Sequence, residues 1–389
     1  MHINLLFVNS HYSYKLFSFV SDLPLEWDDL SVSNVFLSKN YLSVLESSAP
    51  KNMNCHFIGL FDQEKLIGIA LSQFIDLSTI TSYGDRDHCL KTIIRNYVFK
   101  KFSSKLLFIG NNMLTGQNGY SFDSNLSHIE GLTLLKLACN EIQKNYLASG
   151  VKIHLTIFKD YDLSEANQFS IPPFKSFFKF TTQPNMIFKI NPDWATFEDY
   201  YAALHKKYRD QYKRAKKKSE SLIKKKMTLH EIQKESDTIN ELYLNVANNA
   251  PFNTFFLPEN HFEVFKSALN DSFLFYGYYK QDQLIGFNTL IKNGNVIDTY
   301  FLGYNEKFQR DYLLYLNMLY DMIGYSIKKG YSEIIFARTA LEIKSSVGAK
   351  PIKMVGFMKH SNPLINFFIS KLFSYFEPEI VWKERNPFK

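Results

Sequence analysis

Residues 57–68 read FIGLFDQEKLIG, and residues 275–286 read FYGYYKQDQLIG. Aligned without gaps, the two stretches share Phe57/Phe275, Gly59/Gly277, Gln63/Gln281, Leu66/Leu284, Ile67/Ile285 and Gly68/Gly286, and Glu64/Asp282 is a conservative pair. Each is an apolar run, a short polar turn and a second apolar run, which is the pattern of a β-hairpin. The segments downstream of the two hairpins correspond too. In the first half, GLTLLKLACNEIQKNYLASG (131–150) predicts a helix closed by Gly150, and VKIHLTIF (151–158) a strand. In the second, Asp311 is a candidate N-cap for a helix over 312–329, Gly330 ends it, and YSEIIFA (331–337) is a strand. Hairpin, strand, helix and strand, twice over, predict two copies of one α/β domain.

The length of 389 residues suits two domains rather than one core. Hydrophobic residues make up 46% of the chain, which excludes a disordered polar chain. The 36 Phe and 24 Tyr either fill two large cores or line an apolar substrate groove. Cys55, Cys89 and Cys139 have neither pairing nor metal spacing and read as reduced thiols of a cytoplasmic protein. MHINLLFVNSHYSYK at the start lacks the pattern of a signal peptide, and no window reaches the 18 apolar residues of a membrane span. Histidines in H-x₃-H or HExxH spacing are absent, so no metal is expected. A G-x-S-x-G or Cys–His signature of covalent acyl transfer is absent too.

The order of elements, with LLYLNMLYDMIGYSIKKGYSEIIFARTALEIKSSVGAKP (313–351) and LHKKYRDQYKRAKKK (204–218), resembles the FemAB/FemX-type transferases and related bacterial N-acyltransferases. The resemblance implies an α/β (α+β) fold of two GNAT-like domains, each a mixed, mostly antiparallel sheet flanked by helices. It places them at 1–190 and 191–389, joined by a basic helix at about 204–226, with an amphipathic helix at about 362–376. GNAT enzymes carry a glycine-rich loop for the pyrophosphate of coenzyme A. Here the equivalent GYNEKFQRDYLLY (303–315) lacks those glycines.

Strand 331–337 leads directly into Arg338, Thr339, Glu342 and Lys344, at the strand end where open α/β sheets place ligands. Amide formation needs a neutral amine, a stabilised oxyanion and a protonated leaving group. Arg338 and Thr339 are candidates for substrate binding, Glu342 for taking the ammonium proton. For Lys344 the resemblance implies stabilisation of negative charge. A solvated loop pair and a structural arginine are the alternative. Tyr304 is a candidate proton donor to a leaving thiolate, with Tyr300 beside it in the acceptor site; core packing accounts for both equally well. Asn253, in APFNTFFLPENHF (250–262), either lines the acceptor groove or makes a turn. GNNMLTGQNG, with Gly110, Gly116 and Gly119, is either a phosphate or phosphopantetheine cradle or a plain turn.

Between Lys206 and Lys226 stand eleven Lys or Arg against Asp210 and Glu220. Arg209, Lys213 and Arg214 are candidate donor or anion contacts there, suited to an acidic acyl carrier protein, the phosphates of tRNA or an anionic membrane. A solvated helix is the alternative. In NPLINFFISKLFSYF (362–376), Asn366, Ser370 and Ser374 form a polar stripe on an otherwise apolar helix, which either packs on the domain or lies at a membrane interface. The resemblance implies a cytoplasmic N-acyltransferase, at the inner membrane face where the tail engages it. It would move an acyl group from acyl-CoA or the phosphopantetheine of an acyl carrier protein to an amine. Aromatic richness and the tail favour a long-chain or lipid-like amine. Two alternatives stand: aminoacyl transfer from tRNA to a cell-wall precursor, and a non-catalytic scaffold binding membrane or nucleic acid.

Overall fold

The computed structural model describes residues 11–79, 100–250, 253–376 and 382–389. Residues 1–10 and Cys89, on which part of the sequence reading rests, lie outside the described residues. Met1–Thr182, Pro251–Pro258 and Lys353–Glu379 form one compact unit, and Gln183–Ala250, Glu259–Ile352 and Ile380–Lys389 the second.

Both hairpins form where the repeat predicts them. In the first unit β2 (Met53–Asp62) turns through Gln63 and Glu64 into β3 (Lys65–Asp76). In the second, β9 (Phe273–Lys280) turns through Gln281 and Asp282 into β10 (Gln283–Asn293). The shared glutamines adopt the same left-handed conformation, with φ of 54° and 55°. The rest of each sheet follows one plan. β1 (Tyr12–Phe17) flanks β2, and β8 (Leu222–Lys226) flanks β9. β4 (Lys105–Ile109) joins the far side of β3 and runs parallel to β6 (Leu155–Tyr161). Likewise β11 (Val296–Tyr304) joins β10 and runs parallel to β12 (Glu333–Ala337). A short β5 (Tyr120–Phe122) pairs with β3 in the first unit. The remaining neighbours are antiparallel, so each sheet is mixed and mostly antiparallel.

The sixth strand of each sheet departs from the expected boundary at 190. β7 (Phe178–Lys189) follows the first repeat in sequence, yet Met186–Lys189 pair with β12 of the second unit. β13 (Lys350–His360) follows the second repeat, yet Val355–His360 pair with β6 of the first. Each unit is therefore closed by the strand that trails the other repeat, and the division falls between Thr182 and Gln183. The tail helix, Pro363–Phe376, goes with the first unit for the same reason.

Smaller corrections come from caps and turns. The first long helix spans His128–Ala148, with the Ser127 side chain accepting from the Glu130 amide. Its partner spans Leu314–Lys328 and begins after Leu313 in a left-handed conformation. Asp311 instead lies in a preceding helix, Glu306–Tyr312, capped by Asn305. Gly150 and Gly330 sit at φ +78° and +73° after the two long helices, where a side chain would be strained. The basic segment is a helix only over Lys206–Lys218; after a turn, Leu222–Lys226 is the edge strand β8, where lysines discourage further pairing.

The aromatic surplus goes into packing. The largest fully buried side chains are Trp27, Tyr41, Tyr161, Tyr200, Tyr320 and phenylalanines, spread over both cores. In the second unit the helix Ser236–Asn249 lies so close to β11 that a Cβ on Gly303 would stand 2.5 Å from the Leu242 carbonyl carbon and 2.6 Å from the Tyr243 nitrogen. Backbone cannot move aside as a side-chain end can. Gly303→Ala should therefore destabilise the protein by about 1–3 kcal/mol, read as a lower thermal midpoint. An unchanged midpoint would mean that this helix does not seat against β11. Among the described residues, no helix is long and apolar enough to cross a membrane.

Candidate functional site

The parallel pair in the second unit comes apart at its C-terminal end. β11 and β12 are in register only through Val296↔Glu333, Ile297↔Ile334 and Asp298↔Ile335, with the Thr299 hydroxyl donating to the Ile335 carbonyl at 2.9 Å. β11 then continues to Tyr304, paired with β10, while β12 ends at Ala337. Beyond Asp298 and Ile335 the two strands are no longer in register, although β12 runs on to Ala337. An extended amide-bearing chain can add to a strand edge through backbone hydrogen bonds.

The end of β12 is wound into a strained turn. Ala337, Thr339 and Ala340 have φ of +58°, +69° and +47°, left-handed conformations that cost side-chain-bearing residues energy and that persist only where the surroundings impose them. Lys344 is the imposing group. It follows in the short helix Leu341–Ser346, is 4% exposed, and its ammonium donates to the carbonyls of Phe336, Ala337 (3.3 Å) and Arg338 (2.7 Å). An ammonium has three protons to donate, and all three are engaged. Burial draws the Lys344 pKa down to about 7, while the three carbonyls favour keeping the proton. The alternative reading of Lys344 as a solvated loop residue does not hold, since the side chain is a buried clamp on the turn.

Glu342 is exposed, but its carboxylate accepts from both Nε (3.0 Å) and Nη2 of Arg385. The carboxylate is one half of an ion pair with Arg385. Arg338 is half-buried, its guanidinium pKa drawn down to about 10 by burial, and Thr339 is exposed. On β11, Tyr300 is buried and hydrogen-bonded through its hydroxyl to His261 Nε2 at 2.9 Å, a core role. Tyr304 is half-buried at the end of β11, and burial, with Glu306 adding to it, raises its pKa. Asp298 is a further buried acid on β11. It is 4% exposed, receives a hydrogen bond from Asn293 Nδ2 at 3.3 Å, and burial pushes its pKa up to about 7. Its one signal is that it stands as a lone acid in the apolar run VIDTYFLGY.

The glycine-rich loop of the first unit is a packed turn rather than an anion cradle. The Gly110 amide donates to the Leu71 carbonyl, and the Gly119 amide to Gln117 Oε1 at 2.8 Å. The loop turns carbonyls, not amides, toward charge: Lys159 Nζ donates to Asn111 O at 2.9 Å and Leu114 O at 3.2 Å. Gly116, at φ +99°, shapes the turn. A polar cavity of about 500 Å³ opens nearby, lined among others by Asn34, Gln117, Tyr120, Asp123 and His128. Asn253 lies in the segment that goes with the first unit, whereas Arg338, Glu342 and Tyr304 belong to the second. On the basic helix, Arg209 donates to the Leu204 carbonyl and Lys216 pairs with Asp321 at 2.8 Å, while Lys213 and Arg214 are exposed. Among the described residues, no three His, Cys, Asp or Glu side chains gather as metal ligands would.

A mixed sheet of this order, with one parallel pair and present twice, is a tandem GNAT-like fold. A crystal structure of FemX has it too: it matches with a TM-score of 0.52 at 11% identity, over 94% of this chain and 100% of FemX. Two further solved structures match with TM-scores of 0.49. One is a conserved protein of unknown function from Bacteroides thetaiotaomicron, 11% identical over 87% of this chain and 97% of that one. The other is a tandem GNAT protein from the clavulanic acid biosynthesis pathway, 9% identical over 90% and 99%. The sequence matches no protein-family model and no curated protein. At such identities the likeness to FemX is one of fold.

Proposed function

We propose that this chain is an N-acyltransferase that moves an acyl group from a thioester to an amine at the open end of β11 and β12. The observation that carries the proposal is that β11 and β12 lose register past Asp298, beside a turn with three left-handed residues. An acyl thioester on phosphopantetheine, carried by coenzyme A or by a carrier protein, is an extended chain of amides suited to a strand edge.

In the reaction, the amine nitrogen attacks the thioester carbonyl carbon and a C–N bond forms. The tetrahedral oxyanion collapses, the C–S bond breaks, and the sulfur leaves with a proton. Tyr304, half-buried at the end of β11, is the donor of that proton, since a phenol is protonated at neutral pH. It regains a proton from the nitrogen through water, so none is consumed overall. Arg338 binds the anionic part of a substrate. Lys344 acts one step back, by holding the carbonyls that shape the turn.

The test is to incubate the purified chain with panels of acyl thioesters and amines, following thiol release and identifying the amide by mass. No amide from any pair would overturn the reading. With a working pair, Tyr304→Phe should lower kcat by about 10²-fold or more at an unchanged thermal midpoint. Full activity in that variant would remove Tyr304 from the chemistry.

A second reading is supported by the exposed Lys213, Arg214, Lys217 and Lys218 at the end of the basic helix. These suit the phosphates of an aminoacyl-tRNA donor. Loss of the reaction on ribonuclease treatment would select tRNA over a thioester.

A further inference from the structure

The tail helix Pro363–Phe376 turns part of its polar stripe inward and leaves large apolar side chains in water. Asn366 faces inward: its Nδ2 donates to the Ser176 carbonyl at 2.9 Å, and its Oδ1 accepts from the His360 amide at 2.8 Å. Ile369 is buried beside it. Water instead meets Leu364, Phe367 and Phe368, which are 74%, 78% and 49% exposed, with the two phenylalanine rings edge to face at 5.0 Å. Phe102, 38% exposed, belongs to the same neighbourhood, because its carbonyl is bonded to His360 Nε2 at 2.7 Å. Leaving three large apolar side chains in water within five residues is unfavourable unless something covers them.

The segments that carry the patch are rich in lysine, although Glu377 and Glu379 follow the helix in sequence and Asp76 pairs with Lys105 across β3 and β4. From Lys353 to Phe376 the chain has no Asp or Glu, and neither has Lys100–Ile109, which carries Phe102, nor Ser170–Thr182, which carries Ser176. Lys100, Lys101, Lys175, Lys179 and Lys371 are exposed around the patch. The Lys101 ammonium stands 5.7 Å from the Phe102 ring. A second copy is a poor cover, since a two-fold interface would set these lysines against their own symmetry mates. Apolar side chains ringed by lysines are the complement of acyl chains beneath anionic headgroups.

We infer that this face of the first unit seats on an anionic phospholipid bilayer, with Leu364, Phe367 and Phe368 entering the acyl region and the lysines held at the headgroups. The inference stands apart from the proposed catalysis. It is tested by flotation of the full chain with vesicles of phosphatidylcholine alone or mixed with phosphatidylglycerol. The chain should float with the mixed vesicles, far less with the neutral ones, and less again in high salt. Phe367→Ser with Phe368→Ser should weaken binding by about tenfold or more, and Lys371→Glu by roughly fivefold or more. Both variants should keep the wild-type thermal midpoint, because the replaced side chains are exposed. Absence of binding to the mixed vesicles, or equal binding of wild type and the double variant, would overturn the inference. So would a dimer in sedimentation velocity that the double variant dissolves, because the patch would then be a contact between copies.

Discussion

Lys344→Met should lower the thermal midpoint by roughly 10 °C, the equivalent of about 4 kcal/mol in a unit of this size. Methionine has the length of lysine but donates no hydrogen bond, so the carbonyls of Phe336, Ala337 and Arg338 lose their shared partner. Each buried acceptor left unsatisfied costs about 1–3 kcal/mol, and three on one turn relax together, so the sum is less than additive. Ala337, Thr339 and Ala340 would then be released from left-handed conformations that cost of order 1–3 kcal/mol each. Transfer activity should fall with stability, because the turn borders the end of the β11 and β12 pair. Lys344→Arg keeps the charge but spreads its donors over a planar fork, and should recover only part of the loss. The measurement is the thermal midpoint with hydrogen exchange over residues 336–344. An unchanged midpoint in Lys344→Met, with activity alone lost, would return this lysine to the chemistry.

That result would also mark the boundary of what the residues disclose by themselves. The two hairpins were legible because alternation of apolar and polar residues is local and the shared Gln63 and Gln281 sit in the same turn. The exchange of β7 and β13 was not, since the partner of a last strand is decided by tertiary packing and each strand is attached to the wrong repeat. At the site, strand 331–337 and its exit into Arg338 and Lys344 could be read, but the burial of Lys344 could not. It depends on a backbone that turns left-handed at alanine and threonine, residues that give no warning of it. The ion pair of Glu342 was not legible because Arg385, its partner, lies 43 residues on. Which way Asn366 faces was not legible for a different reason. When a helix is apolar on nearly every side, a polar stripe does not reveal which side meets water, and here the asparagine was needed to satisfy Ser176 and His360.

Asp298→Asn should do the opposite of Lys344→Met and stabilise the protein, by a margin that grows above about pH 4 and is complete above neutral pH. The carboxyl is 4% exposed, and burial raises its pKa from 3.8 in the unfolded chain to about 7. Below pH 3.8 both states hold the proton, and the group does not distinguish them. Between 3.8 and about 7 the unfolded chain has released it while the folded chain keeps it, so the folded state binds more protons and stability falls as pH rises. Above about 7 the fall is complete, and a buried carboxylate is held with a single amide hydrogen bond from Asn293. A shift of this size corresponds to on the order of 4 kcal/mol. Asparagine matches the shape, can accept the same bond, and never ionises. The variant's midpoint should therefore lie roughly 10 °C above wild type at pH 8, and the two curves should converge near pH 4. Scanning calorimetry of both proteins across that range decides it. Parallel curves would mean that Asp298 does not titrate in this window, and that its charge is met in the fold by a group other than Asn293.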